Sequence, residues 1–160
     1  MKIDKLFNGL KRIANGDYVW EGDLISEETI EIDLDDRFVV KGRIESKKSI
    51  IIRCGIEAGD GIEAGDGIEA GYGIKAGYGI NAGDGIKAGW GIEAGDGIEA
   101  GWGIEAGTFI SVKKRIFAGL SLYRTSKDCD KTIRCAELRD GDICYGDLIL
   151  TGSEEKTDED

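Results

Sequence analysis

The chain has 160 residues with no histidine and no proline, and its 32 acidic residues outnumber 21 basic ones, for a formal net charge of −11. That length is one domain's worth of material, and the charge argues against nonspecific binding to nucleic acid or an anionic membrane and for a basic partner. No apolar run reaches the roughly 20 residues that span a bilayer. The start, MKIDKLFNGLKRIANG, also lacks the uninterrupted apolar stretch and small-residue cleavage site of a signal peptide, so a cytoplasmic protein is expected.

Residues 1–31 read as an N-terminal cap. Ile3, Leu6, Phe7, Leu10 and Ile13 share one face at helical spacing, which predicts a short amphipathic capping helix over residues 2–14. GDYVWEGDLI at 16–25 resembles GDICYGDLI at 141–149, each reading as a short strand pair with a Gly-Asp turn.

From Gly55 to Gly107 the unit G-I-x-A-G-z is written nine times, with x drawn from Glu, Lys and Asn and z from Asp, Tyr and Trp. The isoleucine phase continues at steps of six through Ile110 and Ile116 to Leu122, and backwards through Ile50, Ile44 and Phe38 to Ile32. The solenoid is therefore expected over 32–122, with its regular part at 55–107. Aliphatic, polar, small is a three-residue strand whose outer two side chains share one face, so Ile and Ala point in and x points out. The remaining G-z-G is a turn, with glycine supplying positive φ. Collagen is excluded by the missing proline, and nine-residue calcium-binding repeats by the period.

The fold class expected is all-β: a parallel β-solenoid with short rungs. Two repeats per coil oppose Ile56 to Ala64 in a narrow core and stack Tyr78, Trp90 and Trp102 in one ladder. Three repeats per coil stack Glu57, Lys75 and Glu93, separating like charges. The tight turn and the Ile/Ala complementarity favour two repeats, a twelve-residue coil. Residues 123–152 then form a C-terminal cap, and 153–160, SEEKTDED, a disordered acidic tail.

No catalytic residues, metal site or cofactor are expected. Cys129 and Cys135 are spaced C-x5-C without a histidine to complete a zinc site, and the four cysteines read as free thiols. Histidine-based nucleophilic catalysis has no base. Identical carboxylates along a regular face lack the unequal environments that divide a pair into acid and base.

In period the repeat resembles hexapeptide-repeat solenoids, although their small residue sits four positions after the aliphatic one, the slot z fills here with Asp60, Tyr72 or Trp90. The histidine base of acyltransferases in that family has no counterpart. Between Gly55 and Gly107 ten acidic residues face two lysines, a charge density near that of duplex DNA. In size, charge and solenoid shape the chain resembles DNA-mimicking solenoids such as pentapeptide-repeat proteins, and small acidic phage inhibitors of host defence, including anti-CRISPR proteins.

That resemblance implies a non-enzymatic inhibitor that occupies the nucleic-acid site of a basic protein, such as a host nuclease, without itself binding nucleic acid. Glu57, Asp60, Glu63, Asp66, Glu93, Asp96 and Glu99 would stand in for phosphates, with Tyr72, Tyr78, Trp90 and Trp102 as contact aromatics. Basic flanks, Lys41 to Arg53 and Lys113 to Arg115, make a homodimer or end-to-end self-association the competing reading, that of a structural spacer or filament subunit.

Overall fold

A computed structural model describes residues 1–120 and 130–152. Leu122, Cys129 and the 153–160 tail lie outside the described residues. The fold is an all-β parallel solenoid with short rungs. Within the repeat each unit contributes one strand of three residues, Ile56–Ala58, Ile62–Ala64 and so on to Ile104–Ala106, with the outer two residues buried. The alternation of a strand is the cause: Ile and Ala turn inward, and x faces water.

The coil has three sides. Ile56 pairs with Ile74 and Ile74 with Ile92, a step of eighteen residues, and the same step joins Ile62 to Ile80 and Ile68 to Ile86. Through the repeat, the first face carries Ile68–Ala70, Ile86–Ala88 and Ile104–Ala106. On the second lie Ile56–Ala58, Ile74–Ala76 and Ile92–Ala94, and on the third Ile62–Ala64, Ile80–Ala82 and Ile98–Ala100. The expected twelve-residue coil is therefore corrected to eighteen, and the single ladder of Tyr78, Trp90 and Trp102 with it.

The backbone supplies the reason. A two-sided coil must reverse direction at each G-z-G, whereas a three-sided coil bends by only a third of a turn. None of the repeat glycines has positive φ, so the conformational freedom expected of them is not used. The first glycine of each turn is needed for another reason. A Cβ on Gly77 would lie 2.0 Å from the carbonyl oxygen of Gly59 in the rung before, and one on Gly95 equally close to that of Gly77.

Because the corners are that close, they hydrogen-bond between rungs as the strands do. Gly77 donates its N–H to the Ala58 oxygen at 3.0 Å, Tyr78 to the Asp60 oxygen at 3.2 Å, and Ile74 to the Gly91 oxygen at 3.0 Å. Buried isoleucines fill the interior, each contributing roughly 1.5–3 kcal/mol, which offsets roughly 0.5–1 kcal/mol lost per glycine.

Upstream the rungs lengthen to twenty residues: Tyr18 pairs with Phe38, Leu24 with Ile44 and Ile30 with Ile50. Two extra residues sit between Ile32 and Phe38, so Ile30 occupies the isoleucine slot and Ile32 the alanine slot. Stacked strands also precede residue 32, at Tyr18–Trp20, Leu24–Ser26 and Ile30–Ile32.

The capping helix expected over 2–14 is absent. Lys2–Ile3 instead adds to the first face beside Glu31 and Ile32, and Lys11–Arg12 runs antiparallel to Tyr18–Trp20. The physical reason is the edge of the first rung, whose exposed N–H and C=O groups are satisfied by strands and not by a helix lying across them. Ile3 is fully buried by this pairing, while Leu6, one helical turn on, is 92 % exposed.

At the other end, Phe109–Ala118 is one ten-residue strand that pairs with the second face at Ile92 and then the third at Ile98. Glu137–Tyr145 lies over it with register shifts, and Asp147–Leu150 closes the first face against Thr132–Cys135. No helix among the described residues is long and apolar enough to cross a membrane.

Candidate protein-binding surface

The eighteen-residue step sorts the variable letters into six columns, three on the faces and three at the corners. On the first face the outward column reads Glu31, Ile51, Glu69, Lys87, Glu105, Arg134. On the second it reads Val39, Glu57, Lys75, Glu93, Ser111. Each lysine there sits between two glutamates, at the roughly 4.8 Å spacing of neighbouring strands. The third outward column reads Glu45, Glu63, Asn81, Glu99, Phe117 and contains no cation itself, although Arg43, Lys114 and Arg115 line the groove beside it.

Corner amides donating to the preceding rung define the other columns. Asp60, Tyr78, Asp96 and Lys114 follow one another where the second face meets the third, and Asp66, Asp84 and Trp102 where the third meets the first. Tyr72, Trp90 and Thr108 occupy the remaining corner, beside neither acidic column.

The charge is thus unevenly shared. Of the ten acidic residues between Gly55 and Gly107, the third face and its two corners hold six: Asp60, Glu63, Asp66, Asp84, Asp96 and Glu99. Both lysines of the repeat lie on the other two faces, each of which carries two glutamates.

Ion pairing deepens the difference. On the second face Arg37 bridges Asp17 at 2.6 Å and Glu57 at 3.0 Å, and Lys75 reaches Glu93 at 3.7 Å. On the third, Lys114 pairs with Asp96 at 2.6 Å. Asp60, Glu63, Asp66, Asp84 and Glu99 form no ion pair among the described residues. The upstream cations are engaged with other carboxylates: Lys47 bonds Glu45 at 3.0 Å, which holds Glu45 below its ordinary pKa, and Lys48 bonds Glu28.

A groove of about 560 Å³ runs along this face, with Asp60, Tyr78 and Asp96 on one wall and Glu63, Asn81 and Glu99 on the other. Its floor includes Gly61, Gly79 and Gly97, the second glycines of their turns. Tyr78 is 62 % exposed between its two aspartates.

The expected contact residues are therefore not all neighbours. Asp60, Glu63, Asp66, Tyr78, Asp96 and Glu99 share one side. Glu57 and Glu93 belong to the second face, and Trp102, half-buried, continues the corner column of Asp66 and Asp84. Tyr72 and Trp90 are 65 % and 58 % exposed and flank a separate groove of about 580 Å³.

Sequence reasoning missed Asp84, although it occupies the same z slot as Asp66. It also missed Phe109, which replaces a turn glycine, lies where a Cβ on Gly91 would be, and carries the Arg139 guanidinium 3.7 Å above its ring.

Among the described residues no group of three or more Asp, Glu or Cys is placed to hold a metal ion. Cys54 and Cys135 are buried and Cys144 is exposed, all three with free thiols. Burial pushes the Cys54 thiol up to about 11 and raises that of Cys135, so neither is a ready nucleophile. Comparison with protein-family models, with curated proteins and with solved structures finds no match to this chain.

Proposed function

We propose that the chain is a non-enzymatic binding protein whose third face occupies the nucleic-acid-binding surface of a basic partner. The observation that carries this reading is the uncommitted charge of that face: of its six carboxylates in the repeat, only Asp96 is ion-paired among the described residues. Three rungs at about 4.8 Å cover roughly 14 Å, a length over which duplex DNA presents about eight charges. Six carboxylates over that length come close to it. Hydrogen-bonded corners keep the spacing rigid, so little side-chain and backbone ordering remains to be done on binding. Tyr78, exposed in the groove, adds an aromatic contact of the kind that anchors interfaces.

An inhibitor of a nucleic-acid-handling enzyme of a phage's host, a CRISPR effector among them, fits this chemistry. The test is competition. The protein is used to recover partners from a host extract, and a recovered nuclease is titrated against its nucleic acid with and without the protein. Glu63→Lys with Glu99→Lys should weaken competition at least tenfold, whereas Glu69→Lys with Glu105→Lys on the first face should change it little. Equal loss from both pairs, or binding insensitive to salt, would rule out a directed acidic face.

A further inference from the structure

The groove of about 580 Å³ beside Tyr72 and Trp90 differs in kind from the acidic one. Gly55, Gly73 and Gly91, from three successive rungs, form its floor, the two exposed aromatics stand along one wall, and Phe109, over Gly91, closes one end. The floor oxygens are already engaged: Gly55 accepts from the Phe38 N–H at 2.9 Å, and Gly73 and Gly91 accept from those of Ile56 and Ile74 at 3.0 Å.

The charges of this groove are engaged as well. On the opposite wall Glu57 pairs with Arg37 at 3.0 Å and Glu93 with Lys75 at 3.7 Å. At the N-terminal end, where residues 1–16 lie as a lid over the first rung, Asp35 pairs with Lys5 at 2.6 Å and Asp36 with Arg12 at 2.7 Å. Every carboxylate lining the groove thus has its cation, unlike those of the third face, and a charged ligand would meet no free counter-charge.

Aromatic surface and two donors are what the groove leaves free. The Tyr72 hydroxyl and the Trp90 indole N–H have no hydrogen-bond partner among the described residues, and the two residues are one rung, roughly 4.8 Å, apart. A ligand matched to them is uncharged, brings carbonyl acceptors, and carries no N–H that would be left unpaired over the occupied floor. An added strand brings such N–H groups, and an α-helix uses its carbonyls internally. Proline has a carbonyl and no N–H. In a polyproline II helix those carbonyls stay open, and one turn of three residues rises about 9.3 Å, against roughly 9.6 Å for two rungs.

We propose that this groove binds a proline-rich segment of a partner protein in the polyproline II conformation, its rings against Tyr72 and Trp90 and its carbonyls accepting from their O–H and N–H. The chain has no proline, so neither a second copy nor a segment of its own supplies the occupant. The acidic residues 153–160 would find no free cation there, since Arg37 and Lys75 are committed. Gly119 and Asp130, which flank 121–129, sit beside Trp102 and Gly103 at another corner. The proposal is independent of the acidic third face.

Fluorescence anisotropy of a dye-labelled, otherwise uncharged decaproline peptide, titrated with the whole chain up to roughly millimolar concentration, tests it. Saturable binding is expected, little affected by salt, and weakened about tenfold in Trp90→Ala and in Tyr72→Ala. Tyr72→Phe, which keeps the ring and removes the donor, should weaken it by a smaller factor. Tyr78→Ala, at an exposed corner of the third face, should leave it unchanged. Cellohexaose, which also stacks on aromatic rings but is rich in hydroxyl donors, should not displace the peptide. Absence of saturable binding, equal loss in Tyr78→Ala, or displacement by cellohexaose overturns the proposal. So does undiminished binding by Tyr72→Phe, which decides the question if neither Trp90→Ala nor Tyr72→Ala folds.

Discussion

Gly77 stacks on Gly59 so closely that a single methyl group on Gly77 would overlap the Gly59 carbonyl oxygen, at 2.0 Å. The other glycine of the same turn, Gly79, would carry a Cβ 3.3 Å from the Gly97 oxygen, a contact that a small shift relieves. Gly77→Ala is therefore expected to destabilise by about 3 kcal/mol or more, as overpacking does. Gly79→Ala should fall within about 1 kcal/mol of wild type, since reduced freedom of the unfolded chain offsets the tight contact. Urea denaturation of the two variants checks this, and equal losses would mean that glycine serves turn conformation and not rung spacing.

Lys75 lies between Glu57 and Glu93 on the second face, 3.7 Å from the Glu93 carboxylate. Lys75→Glu would stack three glutamates in successive rungs. Each new like-charge neighbour costs roughly 0.2–1 kcal/mol, so a loss on the order of 1 kcal/mol is expected, most of it recovered in high salt. Asn81→Glu places a third glutamate between Glu63 and Glu99 and should behave alike. A loss that salt does not diminish would point to packing instead.

Asp35 ties the lid to the stack. Its carboxylate accepts hydrogen bonds from Lys5 Nζ at 2.6 Å and from the Tyr18 hydroxyl at 2.9 Å, which hold its pKa down at about 2. An unperturbed aspartate titrates near 3.9. A depressed carboxylate contributes stability above its unfolded value, and that contribution is lost as pH falls from about 4 towards about 2. Amides of residues 1–16 should accordingly exchange faster at pH about 2 than at pH about 5, measured against amides of the repeat in the same sample. Asp35→Asn should reduce this pH dependence; an undiminished dependence would assign it to groups other than Asp35.

Much of the fold is legible in the repeat because a three-residue strand has only two sides. Ile and Ala at its outer positions must turn inward together, so the core columns follow from spacing alone, and so does the parallel stacking of identical units. Coil size does not follow, because six divides both twelve and eighteen. The two readings differ only in which turns are bent and which charges are neighbours, and the close approach of Gly77 to Gly59 belongs to the stacked chain, not to any local segment.

At the ends, local pattern and tertiary demand disagree. Ile3, Leu6, Phe7, Leu10 and Ile13 satisfy helical spacing, but the first rung presents unpaired backbone groups, and Lys2–Ile3 and Lys11–Arg12 satisfy them as strands. The six-residue phase likewise led to Ile32 because Ile30 and Ile32 are both isoleucine, and the two residues added before Phe38 become visible only when Ile30 pairs with Ile50.

Spacing and residue type are enough to read the composition of the surface: carboxylates and a few aromatics at x and z, carried on a column of isoleucines. Their grouping comes from the stacking of the coils. Threefold stacking places lysines between glutamates on two faces and gathers Asp60, Glu63, Asp66, Asp84, Asp96 and Glu99 about the third, because residues eighteen apart become neighbours about 4.8 Å away while those six apart are carried round a corner.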